Sequence, residues 1–342
     1  MKTLKVKPYN DLWLDCVNNN LIGILTAHDP QFEGLPCFYK WAYTLNVHRE
    51  GAVVHHNDLS SHIDVMFERP DLTSIFEEKR IIVNEERDIN KLVCTLIDDN
   101  YYVFLNMNRY YFPGSADFNK TTFVHPSFIY GYDSEGFKLL EDCVQIGTID
   151  YYELDNTQFS QSFQSALGDS NEAIIHCVRL RDDWSNGKLE VSKSLIDSLL
   201  TDILGTEAMD SLGQSYKGLI AIKKYAEMFN EQNVHLLVEP EQFMWFLQQI
   251  KRGVTMQKRI LMLLKYALDI NLISTDSYNK LSQLYNDHHE YWVLVTSKIG
   301  RVMYKNSQKY FKSKLEESKK LLLDLYEQEL SLTKRFQEEM NL

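Results

Sequence analysis

Three side chains far apart in the chain have the types that nucleophilic acyl chemistry needs: Cys16, His125 and Asp142. A thiolate attacks a carbonyl carbon, a neighbouring imidazole takes and returns the proton, and a carboxylate fixes the tautomer of that imidazole. Cys16 stands in DLWLDCVNNNLIGIL, where Val17, Leu21, Ile24 and Leu25 fall at helical spacing and Asp15 can cap the helix. The thiol then lies in the first turn, where backbone N–H groups and the positive end of the helix dipole favour a thiolate, with the charge of Asp15 working against it. His125 and Asp142 belong to two aromatic and branched runs, Phe123 to Tyr132 and Phe137 to Asp142, separated by Asp133, Ser134, Glu135 and Gly136. That pattern predicts a β-hairpin. Pairing Tyr132 with Phe137 places Asp142 opposite Ser127, so His125 and Asp142 share a face as a diagonal pair while Glu141 points the other way. The choice between Asp142 and Glu141 as the orienting acid rests on that register. Cys143 follows Asp142 and should face away, which is a reason to prefer Cys16.

Stepping outward to the elements that must hold these groups, a Cys at a helix start followed far downstream by a strand His and a strand acid is the chain order of papain-like enzymes. The segment from Tyr101 to Leu154 also resembles the butirosin biosynthesis protein H N-terminal family, papain-like cysteine acyltransferases of natural-product clusters. The features that carry the resemblance are the extended strand Tyr101 to Met107, the aromatic step Tyr110 to Pro113, His125, the strand ending in Gly131 to Asp133, and Asp142. It covers roughly Leu12 to Phe163. One departure is Pro126, which costs a ladder hydrogen bond and implies that His125 begins its strand or lies on an edge. The resemblance implies a papain-like domain and transfer of an acyl or aminoacyl group from the phosphopantetheine arm of an acyl or peptidyl carrier protein to a small-molecule amine. By position, Asn10, six residues before Cys16, resembles the oxyanion-hole amide of papain-like enzymes, where glutamine is usual.

The 342 residues, 44% apolar and 25% charged, describe a folded protein with ample core, most simply two domains. The five cysteines, at 16, 37, 94, 143 and 177, form neither CxxC pairs nor a secreted disulfide scaffold, so a reducing cytoplasm is expected. Met1 to Pro8 leads into a polar and aromatic stretch without an apolar signal core, and no 18-residue apolar run follows. Neither export by a signal peptide nor a membrane span is therefore expected. A net charge of −12 argues against nucleic acid. The segment 298–320 departs from that balance, with eight basic residues against Glu316 and Glu317. It reads either as the solvated face of a long helix or as a docking surface for an acidic carrier protein, with Lys305, Lys309 and Lys312 as its candidates.

The expected architecture is α+β: residues 1–157 a papain-like domain with a Cys helix on an antiparallel sheet, residues 158–342 mainly helical, for acceptor or carrier docking and as a lid. Within the first part, CFYKWAYTLNV reads as core, INKLVCTLIDD as a helix, and Val144 to Leu154 as a strand. Asn106 and Tyr110, near strand ends, are candidates for lining a substrate groove, against the plainer roles of turn and core. His55 and His56 stand without ligand partners at metal spacing, so no metal is expected. Within the second part, a strand is expected at Ala173 to Leu180. Helices are expected at Leu195 to Leu204, Gln214 to Phe229, Glu241 to Lys251, Met256 to Leu268 and Ser274 to Lys298, with a long last one to about Glu339 and breaks at Gly205, Gly213 and Gly253. His176, His288 and His289 read as structural or exposed. With a thioester as donor no cofactor is required. The same triad would serve a cysteine peptidase, a thioester hydrolase or a cyclase, since spacing does not say whether water or an amine resolves the acyl-enzyme. Homodimerisation stays open.

Overall fold

The computed structural model describes residues 1–48, 53–54, 64–84, 88–168, 172–186, 192–209, 213–233, 240–305 and 307–341. The chain divides into two units, Met1–Pro36 with Asp71–Leu189, and Cys37–Pro70 with Glu190–Leu342. In chain order the first unit opens with β1 (Lys2–Thr3) and α1 (Cys16–His28). The chain then enters the second unit for β2 (Lys40–His48), β3 (Val53–Val54) and β4 (Asp64–Glu68). It returns for β5 (Phe76–Asn84), α2 (Ile89–Asp98), β6 (Tyr102–Asn108), β7 (Val124–Tyr132), β8 (Gly136–Glu141), β9 (Asp150–Asp155), α3 (Asn156–Leu167) and β10 (Glu172–Leu180). The second unit is completed by α4 (Lys193–Leu204), β11 (Glu207–Met209), β12 (Gly213–Lys217), α5 (Leu219–Glu227), α6 (Pro240–Asp269), α7 (Thr275–Tyr304), α8 (Gln308–Lys312) and α9 (Leu315–Glu339).

Helix starts follow the side chains that can satisfy the first-turn N–H groups. Asp15 accepts from the backbone of Asn18 at the head of α1, Asp88 does the same for α2, Asp155 for α3 and Ser274 for α7. The first sheet runs β5-β10-β6-β7-β8-β9, with β1 also on β7, and the pairings among the described residues are antiparallel. One face carries Val103, Leu105, Met107, Ile129 and Leu139, which bury against Val93 and Leu96 of α2 and Phe159 and Phe163 of α3. On the other, Phe128 stacks on Tyr102 and packs against Phe104. The Tyr102 hydroxyl lies 3.3 Å from Nε2 of His28, which ties the end of α1 to that face. The helix bearing Cys16 and the helices α2 and α3 thus lie on opposite faces of one sheet.

The hairpin β7–β8 has the expected turn. Asp133 accepts from the backbone of Glu135 and Gly136, and Tyr132 faces Phe137. Gly136 is required there, because a Cβ would meet the Leu154 carbonyl oxygen of β9 at 2.2 Å. The register then shifts by one between Ile129 and Gly131, so that Ile129 faces Leu139 and Phe128 faces Leu140. One step further sets Glu141, not Asp142, beside Ser127, on the side of the sheet that His125 shares.

Several expectations change. The boundary expected at 157/158 falls elsewhere, because β2 pairs with β12 and β4 in a second sheet while β10 closes against β5 and β6 of the first. Such pairings are non-local, and composition does not mark them. The strand expected from Val144 begins only at Asp150, after a bent loop. Residues 214–217, expected to open a helix, belong instead to the strand β12. Gly253 does not break its helix: α6 runs through it, and the glycine lets the ring of Trp292 on α7 approach so closely that a Cβ would meet it at 2.7 Å. The long last helix is three, with the basic segment wrapping from the end of α7 through α8 into α9. His55 and His56 lie outside the described residues. His288 is structural: buried, it places Nε2 3.3 Å from Glu329, whose other oxygen receives the Tyr43 hydroxyl. Among the described residues, no helix is long and apolar enough to cross a membrane.

Candidate functional site

At one end of β6, β7 and β8, four charged or titratable side chains converge on one point, and the centre of the group is Arg109. It opens a short 3₁₀ turn, Arg109–Tyr111, directly after β6. Asn108 clamps that turn: its side-chain oxygen accepts from the backbone of Tyr110 and of Phe123, each at 3.1 Å, and its amide donates to Ser165 at 2.8 Å. The arginine is 3% exposed, and a buried guanidinium must find acceptors. Its Nη2, with two hydrogens to share among three acceptors, lies 2.7 Å from Glu141 Oε2, against Asp142 Oδ1, and 2.9 Å from His125 Nδ1. Its charge also lies 5.7 Å above the ring of Phe123, which stacks on His125.

His125 is the second residue of β7, and Pro126 faces Asn106 of β6. As expected from the proline, the histidine sits at the start of its strand, although β7 lies inside the sheet and not at its edge. Arginine has donors only, so a bond from Nη2 makes Nδ1 the acceptor and puts the ring proton on Nε2. Burial, and after it the neighbouring Arg109, bring the imidazole down to about 4, with Asp142 pulling the other way. At neutral pH the ring is uncharged.

The acids do not play the expected parts. Asp142 was to orient the ring directly; instead Oδ1 holds Arg109 and Oδ2 accepts from the backbone of Gly147 at 2.9 Å. Glu141 was to point away, but the extra residue in β7 turns it into the cluster. It is fully enclosed, and burial pushes its carboxyl up to about 7 against the opposing pull of Arg109. His125, Glu141 and Asp142 offer ligand atoms that all lie within 4.8 Å of one another, a donor set of the kind that binds a divalent cation. Here the guanidinium already supplies the positive charge between them.

Cys16 is the first residue of α1, half-buried, with Asp15 as its N-cap. It is not part of that 4.8 Å group, yet the charges of Glu141, Asp142 and Arg109 all reach its sulfur. The balance runs against the expected thiolate. Burial first, then Asp15, Glu141 and Asp142, push the thiol well above its ordinary value, and Arg109 alone offsets them. At rest the thiol is therefore protonated and the imidazole neutral. Cys143 lies in the same field, pushed up by burial to about 12, but it is sealed in the core behind the first sheet. Of these two sulfurs, Cys16 is the one that solvent reaches.

Asn10 is not a free oxyanion donor. Its amide nitrogen donates to the Ile149 carbonyl and its oxygen accepts from the Ile149 N–H, both at 2.8 Å, so it pins the loop that follows Asp142. Asn106 is exposed and, by strand alternation, lies on the opposite face from His125. Tyr110 stands next to Arg109, half-buried, its ring edge-on to Tyr111 at 5.1 Å. Lys305, Lys309 and Lys312 are exposed in the second unit, with Lys305 over the ring of Tyr310 at 5.9 Å.

Sequence reading missed Arg109, the residue that joins the others. A signal was there: a lone basic residue between a buried strand and the aromatic step Tyr110 to Pro113, with two consecutive acids ending a later apolar strand. Charges in such runs need each other. No protein-family model and no curated protein matches this chain.

Proposed function

We propose that the first unit is a papain-like acyl-transfer domain in which Cys16 carries an acyl group between a carrier-protein thioester and a small-molecule amine. The observation that carries this reading is a partly buried thiol at a helix head in the charge field of Arg109, Glu141 and Asp142, the same groups that surround His125. The resemblance of Tyr101 to Leu154 to acyltransferases of natural-product clusters, and a thiol-bearing helix packed on an antiparallel sheet, support it; strand alternation sets His125 with Met107 on the face away from that helix, so thiol and ring meet only around the sheet end.

The Cys16 sulfur attacks the thioester carbonyl as its proton passes to the His125 nitrogen that Arg109 releases, and the intermediate expels the phosphopantetheine sulfur, which takes that proton. The amine then attacks the acyl-cysteine, gives its proton to His125, and the thiol of Cys16 is restored with an amide as product. Because the resting thiol is held protonated, the proton leaves as the carbon–sulfur bond forms, without a preformed thiolate–imidazolium pair. The thioester supplies the driving force. Lys305, Lys309 and Lys312 offer an acidic carrier protein its landing surface.

Intact-mass measurement after incubation with aminoacyl carrier-protein thioesters tests the reading. The expected result is one acyl adduct, mapped to Cys16, lost in Cys16→Ala, and passed to an added amine. Release only as the free acid would make the protein a hydrolase. An adduct on Cys143, or none, would end the proposal.

A further inference from the structure

Of the four groups at the sheet end, Arg109 is the one that touches the other three, and its geometry is the most constrained. It is buried, fixed by the Asn108 clamp, and shared among three acceptors on two strands and the residue beyond. In an ordinary triad the carboxylate bonds the imidazole and draws a proton onto the nitrogen it faces. Here neither acid makes a hydrogen bond to the ring among the described contacts; both bond the arginine, and the arginine bonds the ring.

We propose that Arg109 is the positioning residue of this site: held by Glu141 and Asp142, it takes the lone pair of His125 Nδ1 and presents the imidazole as its Nε2–H tautomer. This rests on the reading of His125 as the base for Cys16. The consequence for that chemistry is definite. Nδ1 is the only ring nitrogen with a free lone pair, and Arg109 holds it, so His125 can accept a proton only when the guanidinium lets go. The arginine thus keeps the site at rest and sets the ease with which it becomes basic. Its charge works in the same direction as burial, opposing the imidazolium, while Asp142 favours it. The charged and titratable groups around the ring are Arg109, Glu141 and Asp142, with Cys143 and Cys16 in the same field.

The experiment is long-range ¹⁵N–¹H correlation spectroscopy of the histidine rings in the full-length protein, with the His125 signal identified by its loss in His125→Gln. It needs no substrate. In the wild type, Nε2 should carry the proton, Nδ1 should show the shift of an unprotonated acceptor, and the ring should stay neutral down to about pH 4. In Arg109→Gln the cation is gone and Asp142 remains, so the ring's proton affinity should rise about tenfold or more. A wild-type proton on Nδ1, or an unmoved titration in Arg109→Gln, overturns the proposal. If that variant does not fold, the wild-type tautomer decides alone. A correct tautomer without any acyl-Cys16 would sink the acyl-transfer reading and leave the part of Arg109 standing.

Discussion

Glu141 and His125 carry opposite pH signatures, and substitution can expose each. Burial raises the Glu141 carboxyl from 4.5 to about 7, so between those values the folded protein holds a proton that the unfolded chain releases. Its contribution to stability is full below about pH 4.5 and is lost as pH rises through 7. His125 behaves in reverse. Its folded value lies at about 4 against an ordinary 6.5, so its contribution is full above 6.5 and is lost as pH falls through 4. At about 1.4 kcal/mol per pH unit, each displacement is worth about 3 kcal/mol, with opposite sign. Over the shared window the two nearly cancel, and the wild type should show little slope from this cluster. Urea unfolding of wild type, Glu141→Gln and His125→Gln from pH 4 to 8 reads the difference curves. Relative to wild type, Glu141→Gln should gain about 3 kcal/mol as pH rises from 4.5 to 8, and His125→Gln should gain about as much as pH falls from 6.5 to 4. A constant offset from lost packing or a lost Arg109 partner drops out, because only the pH-dependent part is compared. Flat difference curves, or curves of the same sign, would refute the assignment of these two groups as an opposed buried pair.

Two further outcomes are expected. Gly253→Ala should destabilise the second unit by about 1–3 kcal/mol through overpacking, despite the roughly 1 kcal/mol that alanine adds to a helix, because the Trp292 ring is held by its stack on Tyr43 and its bond to the Tyr43 hydroxyl. A raised denaturation midpoint would show that the ring gives way. Lys309→Glu with Lys312→Glu should weaken binding of an acidic carrier protein and flatten its salt dependence, measured by titration at two ionic strengths; unchanged affinity would return these lysines to the solvated surface.

The parts legible in the sequence were those set by near neighbours. Asp15 announced the head of α1 because a cap and its helix lie within four residues, and Asp133 with Gly136 announced the hairpin turn. That Cys16 opens a helix and His125 lies at the start of a strand was legible because such starts leave local marks. The rest depended on partners far along the chain. Arg109 acquires its part from Glu141 and Asp142, 32 and 33 residues on. Gly253 looks like a helix breaker until Trp292 is packed on it. The segment 37–70 reads as more of the first unit until β12, far downstream, pairs with it. Asn10 matched an expected position, but its partner Ile149 gives it a different task.

The shift at Tyr130 has a genealogical consequence. A bulge is one residue long, and the arithmetic of spacing between His125 and the acids changes sides with it. A cousin without that insertion would aim the other acid at the ring while keeping both letters in place. Kin of this protein should therefore be sought by a guanidinium standing between two acids and a histidine, and not by counting residues from one motif to the next.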